Sequence, residues 1–457
     1  MVPPNKPESA LGAVEDSQQI ASAPIFKAIR VSTASGDEQF KQDFKLGGVA
    51  VALSGGRDSV VLLHALRALG VTPLRALTVN HQLQESSGSW ATFCADLCAR
   101  FDVAHQIDEV TVTNKGDGIE GAARRARYAS LTQMAKQSDC KIIGFGHHQD
   151  DQVETVLHQL LRGTGLAGAA GMASLRFEQG LWIWRPLLSV TRAQIDAYAS
   201  AYHLQWVDDP SNADTHFARN AIRKDVLPVI DQYFAAGRQN IVRFAQLLAQ
   251  SDAQIQAIAF EDLAACTQED PSQADPSDFG FLDVVRVRAL SSTRQAWVLR
   301  AWLKQAGLKM PSQARLQSMQ RQLVQSQTAT QAGIAHDDAV LRRYRNVLSI
   351  HAQTNSVAPL AVLYENPPDE AVGLPAHCLA NAQVESAPRT LSQNFRLGLN
   401  RPNRSLKLQF QAVGIAPWQR QQSVALYRGD DLLWVAGLGM NHQWVVATGD
   451  RKVPRLA

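Results

Sequence analysis

The chain has 457 residues, of which 45% are hydrophobic, and its 45 basic and 42 acidic side chains give a formal charge of +3. At roughly 150 residues per domain, this length predicts about three domains. The hydrophobic share excludes disorder along the whole chain. Because the charge is close to neutral, only a local cluster of basic residues could indicate a nucleic-acid partner.

The five cysteines are too few, and odd in number, for the disulfide framework of a secreted protein. The N-terminus lacks a basic stretch followed by an apolar run, so no signal peptide is expected. No stretch approaches the roughly 18 apolar residues of a membrane-spanning helix. We therefore expect a cytoplasmic protein without a membrane segment, and no feature of the sequence indicates a protein partner.

Residues 1–46 are mixed in charge and show no sustained period, which predicts a flexible N-terminal extension. From Gly47 onward, short apolar runs alternate with helical patterns. Short apolar runs predict strands at Val49–Leu53, Leu74–Val79, Val103–Val110, Lys141–Phe145 and Leu181–Trp184. Helical patterns lie between them at Ser59–Leu69, Ser87–Arg100, Glu120–Gln137, Gln152–Arg162 and Arg192–His203. This alternation predicts an α/β fold with a doubly wound, mostly parallel sheet, over residues 47–228.

The rest of the chain divides into three further segments. Residues 229–351 are largely helical in pattern and predict a helical domain, although Val340–Ile350 is strand-like. A Pro-bearing linker is expected over residues 352–387. Residues 388–457 combine short strand-like runs with Gly-rich turns and predict a small, basic α+β domain.

The first chemical motif follows the first predicted strand and reads Ser54-Gly55-Gly56-Arg57-Asp58-Ser59. Two glycines let the backbone approach a phosphate closely, and free N–H groups at the start of the next helix point at it. An acidic Asp58 makes sense there if Mg²⁺ lies between the carboxylate and the phosphate. The simpler alternative is a capped helix after a tight turn.

The second motif follows the fourth predicted strand and runs from His147 to Glu154. Asp151 and Glu154 are three residues apart, so one helix end presents both carboxylates on nearly one side. The pattern is also close to a capping box. A doubled histidine beside a doubled aspartate exceeds what capping requires, so we expect a functional site that can also cap its helix.

The first motif resembles the PP-loop of the ATP pyrophosphatase superfamily. A wider set of motifs, in matching order over about residues 48–228, resembles the tRNA(Ile)-lysidine synthase family. These motifs are Ala123–Tyr128, His147–Thr155, Leu160–Leu166, Arg185–Leu188, Asp208–Asn212 and Arg219–Arg223. Residues 229–351 and 388–457 look, more loosely, like that family's accessory domains. This resemblance implies that the helical segment binds tRNA or substrate and that the tail binds tRNA.

This resemblance implies a reaction. ATP adenylates O2 of the wobble cytidine in an isoleucine tRNA with a CAU anticodon, free L-lysine attacks C2, and AMP leaves. The implied cofactors are ATP and Mg²⁺, with Asp58 as the metal ligand. The residues implied to hold the nucleotide are Ser54, Gly55, Gly56, Arg57, Asp58, Ser59 and His81. A buried structural role is the alternative for His81.

A lysine amine with a pKa of about 10.4 arrives protonated, and its deprotonation at neutral pH costs roughly 4.6 kcal/mol. A base or an anionic cradle is therefore expected. Asp151, Glu154 and His147 are the candidates, and the sequence does not choose among them. Positive charges placed to offset phosphate are Arg127, Arg219 and Arg223, for which solvated salt bridges are the alternative.

A basic stretch in the tail predicts contact with RNA. Between Arg389 and Arg428 the sequence has seven basic residues and no acidic one. Basic residues interleaved with aromatic ones suit contact with the RNA backbone and stacking on bases. The predicted tRNA contacts are Arg219, Arg401, Arg404, Lys407, Trp418 and Arg420. A solvated loop surface is the alternative for the tail.

Two rival functions remain. Another PP-loop adenylating enzyme, such as a tRNA thiolase or an amidotransferase-type synthetase, is disfavoured because Cys-x-x-Cys pairs and a glutaminase region are missing. A catalytically silent tRNA-binding protein is disfavoured by the presence of Asp58, Asp151 and Glu154. Cys94 and Cys98 are interpreted as two packed thiols, since a metal site would need more ligands at tighter spacing.

Overall fold

The computed structural model describes residues 8–80, 87–111, 118–208, 218–268, 280–326, 331–352, 362–368, 371–420 and 422–456. The chain forms two compact units, Met1–Asp252 and Ala253–Ala457. The helices of the first unit are α1 (Glu8–Ala34), α2 (Glu38–Leu46), α3 (Arg57–Ala68), α4 (Ser87–Phe101), α5 (Gly118–Gln137), α6 (Gln149–Leu161), α7 (Leu166–Ala169), α8 (Arg192–Ala201), α9 (Ala218–Ala221) and α10 (Leu227–Tyr233). Helix α11 (Gly237–Cys266) begins in the first unit and ends in the second.

The described residues of the first unit form a six-stranded sheet in the order β3-β2-β1-β4-β6-β5. Its strands are β1 (Val49–Ala52), β2 (Leu74–Asn80), β3 (Ala104–Glu109), β4 (Ile142–Gly144), β5 (Leu175–Glu178) and β6 (Leu181–Trp184). All neighbours are parallel except β5, which pairs antiparallel with β6. The predicted α/β fold with a mostly parallel sheet is confirmed. Strand β6 was predicted, but β5, which forms a short hairpin with it, was missed.

Strand β1 is central and apolar on both faces, as a strand covered by helices on both sides requires. Val49 and Val51 pack in one buried cluster, and Ala50 packs in a second cluster. Val49 pairs with Leu74 of β2 on one side and with Ile142 of β4 on the other. The strand order therefore reverses at β1, which creates the topological switch point where ligands bind in such folds.

The N-terminal segment differs from the predicted flexible extension in its described part. Helices α1 and α2 pack against the sheet, with Phe40 fully buried beside the rings of Trp182 and Trp184 at 5.4 and 6.0 Å between centroids. The indole N–H of Trp184 donates to Ser32 Oγ at 2.7 Å, and that of Trp182 donates to Asp43 Oδ2 at 2.8 Å. The extension is held because its partners come from β6, far along the chain.

The second unit begins with mixed structure rather than a purely helical domain. Its helices are α12 (Val284–Ala289), α13 (Ser292–Gln305) and α14 (Gln313–Met319), followed by a π-helical turn at Gln320–Gln325. A sheet of described residues in the order β7-β8-β11-β10-β9 covers them, formed by β7 (Thr267–Gln268), β8 (Phe281–Asp283), β9 (Gln331–His336), β10 (Ala339–Tyr344) and β11 (Val347–Ala352). The strand-like pattern at 340–350 is a hairpin that turns at Arg345, whose φ is 54°.

The C-terminal part is built from short antiparallel strands. Its elements are β12 (Val362–Glu365), β13 (Leu374–Pro375), α15 (Ala376–Leu379), β14 (Gln383–Glu385), β15 (Asn394–Phe395), β16 (Arg404–Ser405), α16 (Leu406–Val413), α17 (Pro417–Arg420), β17 (Ala425–Arg428), β18 (Asp431–Val435), β19 (Gly439–Met440) and β20 (Arg451–Leu456). Strands β12 and β13 lie inside the predicted linker 352–387 and pair with β20. The segment differs from a linker because the partner strand of both is the last one in the chain.

Candidate active site

A cavity of about 620 Å³ opens at the carboxyl ends of β1, β2 and β4. It is lined by Ser54 and Gly56 after β1, by Asn80 at the end of β2, and by His147 and His148 after β4. These positions surround the switch point of the sheet, where an open α/β fold binds its ligand. The two motifs found in the sequence, about ninety residues apart along the chain, therefore face one cavity.

The loop after β1 has the geometry of an anion site. Gly55 adopts a φ of +81°, a conformation that side chains with a Cβ rarely adopt. Ser59 Oγ donates to the carbonyl of Gly56 at 2.8 Å, and the N–H of Ser54 donates to Ser59 Oγ at 3.3 Å. Helix α3 has Gly56 at its N-cap and no side-chain cap. Its first N–H groups are thus left for a bound anion, unlike those of a capped helix.

Gly146, which the sequence analysis did not single out, brings the end of β4 against this loop. A Cβ at Gly146 would lie 2.7 Å from the carbonyl carbon and oxygen of Asp58 and 2.9 Å from the N–H nitrogen of Ser59. These are backbone atoms and cannot rotate away. The close approach explains why only glycine fits here.

Gly146→Ala should therefore lower the free energy of unfolding by about 1–3 kcal/mol, because the backbone of α3 must shift. Urea unfolding of the variant measures the loss. Gly88→Ala is the matched control, since Gly88 lies in α4 with open space around it and should gain up to about 1 kcal/mol. Equal stabilities for the two variants would contradict the close approach.

Asp58 lies in the first turn of α3 and is already paired. Arg192 Nη1 donates to its two carboxylate oxygens at 3.0 and 3.3 Å, and His148 Nε2 lies 3.6 Å from Oδ2. Burial raises the pKa of Asp58, although His148 and Arg192 oppose the shift. Among the described residues no three His, Cys, Asp or Glu side chains form a metal cluster. A cation at Asp58 would therefore need further ligands from a substrate.

The start of α6 is fixed by a reciprocal cap. His148 Nδ1 accepts from the N–H of Asp150 at 3.2 Å, and Asp151 Oδ2 accepts from the N–H of His148 at 3.0 Å. The other ring nitrogen of His148, Nε2, lies 3.6 and 3.7 Å from the carboxylates of Asp58 and Asp151 and 3.2 Å from Arg192 Nη1. The helix start is therefore capped, but by His148 with Asp151 as its reciprocal partner rather than by the predicted Asp151–Glu154 pair.

Asp151 remains an anion in this environment. Burial alone would raise its pKa, but His148, His147, the N–H of His148 and Arg223 outweigh burial and hold the pKa below its ordinary value. Arg223 Nη2 lies 3.6 Å from Asp151 Oδ1. The carboxylate is therefore charged and faces the cavity, which it lines.

Glu154 is 1% exposed and is held by Arg223. Arg223 Nε donates to Oε1 at 2.6 Å and Nη2 donates to Oε2 at 3.0 Å, which is a bidentate pair. Burial raises the pKa of Glu154, and the guanidinium opposes that shift. Arg223 lies in a π-helical turn, Ile222–Val226, and Arg219 one turn before it donates to Thr155 Oγ1 at 2.7 Å. Arg223 thus pairs with a buried carboxylate rather than in the solvated salt bridge given as its alternative, and its predicted phosphate contact stays a prediction.

His147 ends a column of stacked rings. Its ring stacks on Phe145 at 5.7 Å, and Phe145 stacks on Tyr128 at 5.2 Å. Burial lowers the pKa of His147 to about 3, with the charge of Arg185 adding to the effect and Asp151 opposing it. Its Nδ1 is buried and has no hydrogen-bond partner among the described residues. His147 is therefore a neutral ring with a polar atom available to a ligand.

The cavity is rich in arginine. Among the described residues that line it, six are Arg57, Arg124, Arg127, Arg192, Arg219 and Arg223, against three acids, Asp58, Asp151 and Asp208. Within the part of the chain that the structure describes, Arg127 is exposed and makes no side-chain hydrogen bond or ion pair. The excess of positive charge suits a polyanionic ligand.

One predicted site residue lies outside the described residues, and two residues beside Asp58 were not predicted. His81 and residues 209–217 lie outside the described residues, so the prediction for His81 stays a prediction. Arg192 and His148 touch Asp58 but were missed as site residues. One signal could have found Arg192: it lies in the first turn of α8, where the helix dipole disfavours a cation. Such a local conflict often marks a functional position.

Comparison with known proteins places the chain in a family. A family model described as a PP-loop domain matches residues 31–230, and models described as the TilS substrate binding domain and the TilS substrate C-terminal domain match residues 282–349 and 384–456. A tRNA(Ile)-lysidine synthase of Ralstonia nicotianae is 38% identical over 423 residues, covering 86% of this chain and 88% of the relative. The chain belongs to the tRNA(Ile)-lysidine synthase family. The tRNA(Ile)-lysidine synthase of Burkholderia pseudomallei is 34% identical over 448 residues, covering 86% of this chain and 89% of the relative.

Family membership makes the chain an ATP-dependent tRNA-modifying ligase, and the PP-loop domain supplies ATP binding. Among solved structures, a U34-tRNA thiolase from Methanococcus maripaludis is similar to 50% of this chain and 80% of its own, at 17% identity and a TM-score of 0.44. No helix in the described ranges is long and apolar enough to span a bilayer.

The cysteines of this lysidine synthase family member are packed rather than reactive. All five lie in the described part of the chain and are free and buried. Burial raises the pKa of Cys94 to about 11 and that of Cys98 to about 12, so both are protonated thiols at neutral pH. The interpretation of these two residues as packed thiols is confirmed.

The basic stretch of the tail divides into internal and exposed residues. Arg420 is 4% exposed, with Nε donating to the carbonyl of Ile415 at 2.9 Å and Nη2 to Tyr344 Oη at 3.0 Å, so the prediction that it contacts tRNA is wrong. Trp418 is covered by the guanidinium of Arg342 at 4.9 Å and would have to give up that contact to stack on a base.

The other six basic residues of this stretch either bond within the protein or have exposed side chains. Arg389 pairs with Glu385 and Asp430, and Arg428 pairs with Asp431. Arg396 donates to backbone carbonyls. The basic residues left with exposed side chains and no side-chain partner in the described part of this stretch are Arg401, Arg404 and Lys407.

Proposed function

We propose that this family member ligates free L-lysine to C2 of the wobble cytidine in an isoleucine tRNA with a CAU anticodon. ATP first transfers AMP to O2 of the cytidine and releases pyrophosphate. A lysine amine then forms a C–N bond at C2, AMP leaves with the oxygen, and one proton is released. The observation that carries this proposal is that one cavity holds the phosphate-binding loop, an anionic Asp151 and six arginines.

The nucleotide end of the cavity is the loop after β1. Ser54, Gly55, Gly56, Arg57 and Ser59 would cradle the departing pyrophosphate, because the N-terminus of α3 carries no side-chain cap. Asp58 lies in the same turn and would hold Mg²⁺ together with phosphate oxygens, since Mg²⁺ at such sites takes only one or two carboxylates from the protein. The ion would neutralise charge that develops on the leaving pyrophosphate.

The arginines act on both substrates. Arg127, Arg219 and Arg223 line the cavity and would offset phosphate charge, and Arg127 makes no side-chain hydrogen bond or ion pair among the described residues. Like charge also lowers the pKa of an amine brought near it. An arginine-rich cavity therefore reduces the roughly 4.6 kcal/mol needed to deprotonate lysine at neutral pH.

The three candidate bases are no longer equivalent. Glu154 is committed to a bidentate pair with Arg223, and His147 has a pKa of about 3 and gains little from a proton at neutral pH. Asp151 is charged, lines the cavity and has a side chain that is 18% exposed. We infer that Asp151 holds the lysine ammonium, with the unpartnered Nδ1 of His147 as a second contact. Because the pKa of Asp151 is lowered, this carboxylate is a weak base, and the proton of the ammonium is released to water.

The adenylation step can be tested without lysine. The protein with ATP, Mg²⁺ and a transcript of the CAU-anticodon isoleucine tRNA should release one pyrophosphate per tRNA bound and stop, because the amine is absent. A transcript with uridine at the wobble position is the matched control. Equal pyrophosphate release with the two transcripts would contradict an adenylated cytidine.

The exposed basic residues of the C-terminal part provide a further prediction. If Arg401, Arg404 and Lys407 each neutralise one phosphate, changing all three to Gln should weaken the salt dependence of tRNA binding. The slope of log K against the logarithm of salt concentration should become shallower by roughly 2–3. Filter binding at several salt concentrations measures the slope. A control triple variant of Arg389, Arg420 and Arg428 should lower stability instead, since these side chains bond within the protein. An unchanged slope for the first variant would exclude this surface as a tRNA contact.

A further inference from the structure

Four charged side chains alternate in sign along one wall of the cavity. Arg57 Nη1 lies 2.6 Å from Asp196 Oδ1, the same oxygen lies 3.4 Å from Arg192 Nε, and Arg192 Nη1 donates to Asp58 at 3.0 Å. Arg57 and Asp58 belong to the first turn of α3, while Arg192 and Asp196 belong to α8. The chain of charges therefore connects the phosphate-binding loop to a helix from a distant part of the sequence.

Stability alone does not explain this arrangement. The side chains of Arg192 and Asp196 are 36% and 43% exposed, and exposed ion pairs contribute at most about 1 kcal/mol. Arg192 also places a cation in the first turn of α8, against the helix dipole. Both Arg57 and Arg192 line the cavity, and Arg57 Nε is buried without a hydrogen-bond partner among the described residues.

We propose that Arg192 is a phosphate-binding residue of the nucleotide site, which Asp58 holds in place until the triphosphate enters. This inference rests on the proposed function and deepens it by assigning a phosphate contact outside the two sequence motifs. Nη1 already lies within 3.0 Å of the residue that follows the loop, so the guanidinium needs only a small rotation to face a phosphate bound there. Asp196 keeps Nε oriented during that change.

The exchange also balances charge at the loop. Without nucleotide, Asp58 would be an isolated carboxylate where phosphates must bind, and Arg192 neutralises it. With nucleotide, the guanidinium pairs with a phosphate and Asp58 becomes free for the divalent cation proposed above. The planar guanidinium of an arginine can bind two oxygens of a phosphate at once. The ammonium of a lysine would act only as a point charge.

Binding of inorganic pyrophosphate with Mg²⁺, measured by calorimetry and by the shift in Tm, tests the assignment without any turnover. Arg192→Gln should raise the Kd for pyrophosphate by about 10- to 100-fold, because one charge-assisted hydrogen bond is lost. Arg192→Lys should lie between the wild type and Arg192→Gln, since it keeps charge without the fork. The Kd for tRNA should change less than about 2-fold in both variants.

Arg176→Gln is the matched control, because Arg176 pairs with Glu178 at similar exposure but does not line the cavity. It should leave the Kd for pyrophosphate unchanged. An Arg192→Gln variant that binds pyrophosphate as the wild type does would overturn this inference alone. The inference would also be overturned if Arg192→Gln lowered Tm, tRNA binding and pyrophosphate binding together and Arg192→Lys recovered none of them. That pattern would indicate a structural role for Arg192. A wild-type protein that binds neither ATP nor pyrophosphate would overturn the proposed function as well.

Discussion

Replacing Asp58 with Asn should reduce tRNA-dependent pyrophosphate release by about 10²- to 10³-fold, because the protein ligand of the cation that would neutralise the leaving pyrophosphate would be lost. The fold should survive. Burial already raises the pKa of Asp58, so the charged form costs desolvation energy that Asn does not. The variant is therefore expected to unfold within a few degrees of the wild type, with the defect confined to the nucleotide step. Stopped-flow detection of released pyrophosphate measures that step.

Asp139→Asn is the control for this variant. Asp139 lies in the same unit, its side chain is 92% exposed, and its φ of 53° suits asparagine equally well. It should leave pyrophosphate release unchanged. If Asp58→Asn retained more than about a tenth of the wild-type rate, the carboxylate could not be the cation ligand proposed here.

Removing Arg223 should have the largest effect on stability. Arg223→Met would leave the Glu154 carboxylate, 1% exposed, without its partner, and breaking a buried pair in this way costs about 3 kcal/mol or more. The expected cost lies at the lower end of the range for breaking buried ion pairs, because the side chain of Arg223 is itself 41% exposed. Adding Glu154→Gln should restore much of the loss, since no unpaired charge then remains. Urea unfolding of the single and double variants measures both effects.

The pH dependence of this defect has a definite sign. Burial raises the pKa of Glu154, and without Arg223 the pKa rises further. A carboxyl group with a raised pKa in the folded state destabilises the fold above that pKa and ceases to do so once it is protonated. The cost of Arg223→Met should therefore be smaller at about pH 5 than at about pH 8. Arg176→Met, which breaks an exposed pair, should cost less than about 1 kcal/mol at both. A defect that grew on acidification would contradict the pairing.

The sequence predicted the nucleotide-binding unit well because its signals are local. An apolar β1 followed by two glycines and a polar helix start needs no distant partner to be recognised, and the second motif follows β4 in the same way. The two helices that follow these strands were predicted with their C-terminal ends nearly right, but both begin earlier than predicted, so that Asp58 and Asp151 lie inside them rather than just before them. Their convergence on one cavity follows from the switch point of a parallel sheet.

Features that depend on distant partners were not predictable. Helix α1 looked like a flexible extension because the residues that hold it, such as Trp184, come from β6. Strands β12 and β13 looked like a linker because β20 pairs with both. Composition gave no sign of either pairing, since the pairing energy appears only when the two segments meet.

The number of basic residues in a segment did not predict which of them are exposed, for a related reason. A run of arginines looks the same in sequence whether its members face solvent or bond inside the protein. Arg420 is buried against Ile415 and Tyr344, whereas Arg401 is exposed. In the same way, Arg192 could not be connected with Asp58 from spacing alone, because the two lie on different helices. The overall charge of +3 conceals an arginine-rich cavity as well as an exposed basic surface.

Transfer of labelled L-lysine to tRNA tests the central claim most directly. With ATP, Mg²⁺ and a transcript of the CAU-anticodon isoleucine tRNA, the folded protein should make acid-precipitable label that depends on ATP, with one AMP formed per lysine incorporated. Transcripts with another wobble base should remain unlabelled. Absence of label in tRNA, from protein that binds both ATP and the transcript, would contradict the proposed reaction.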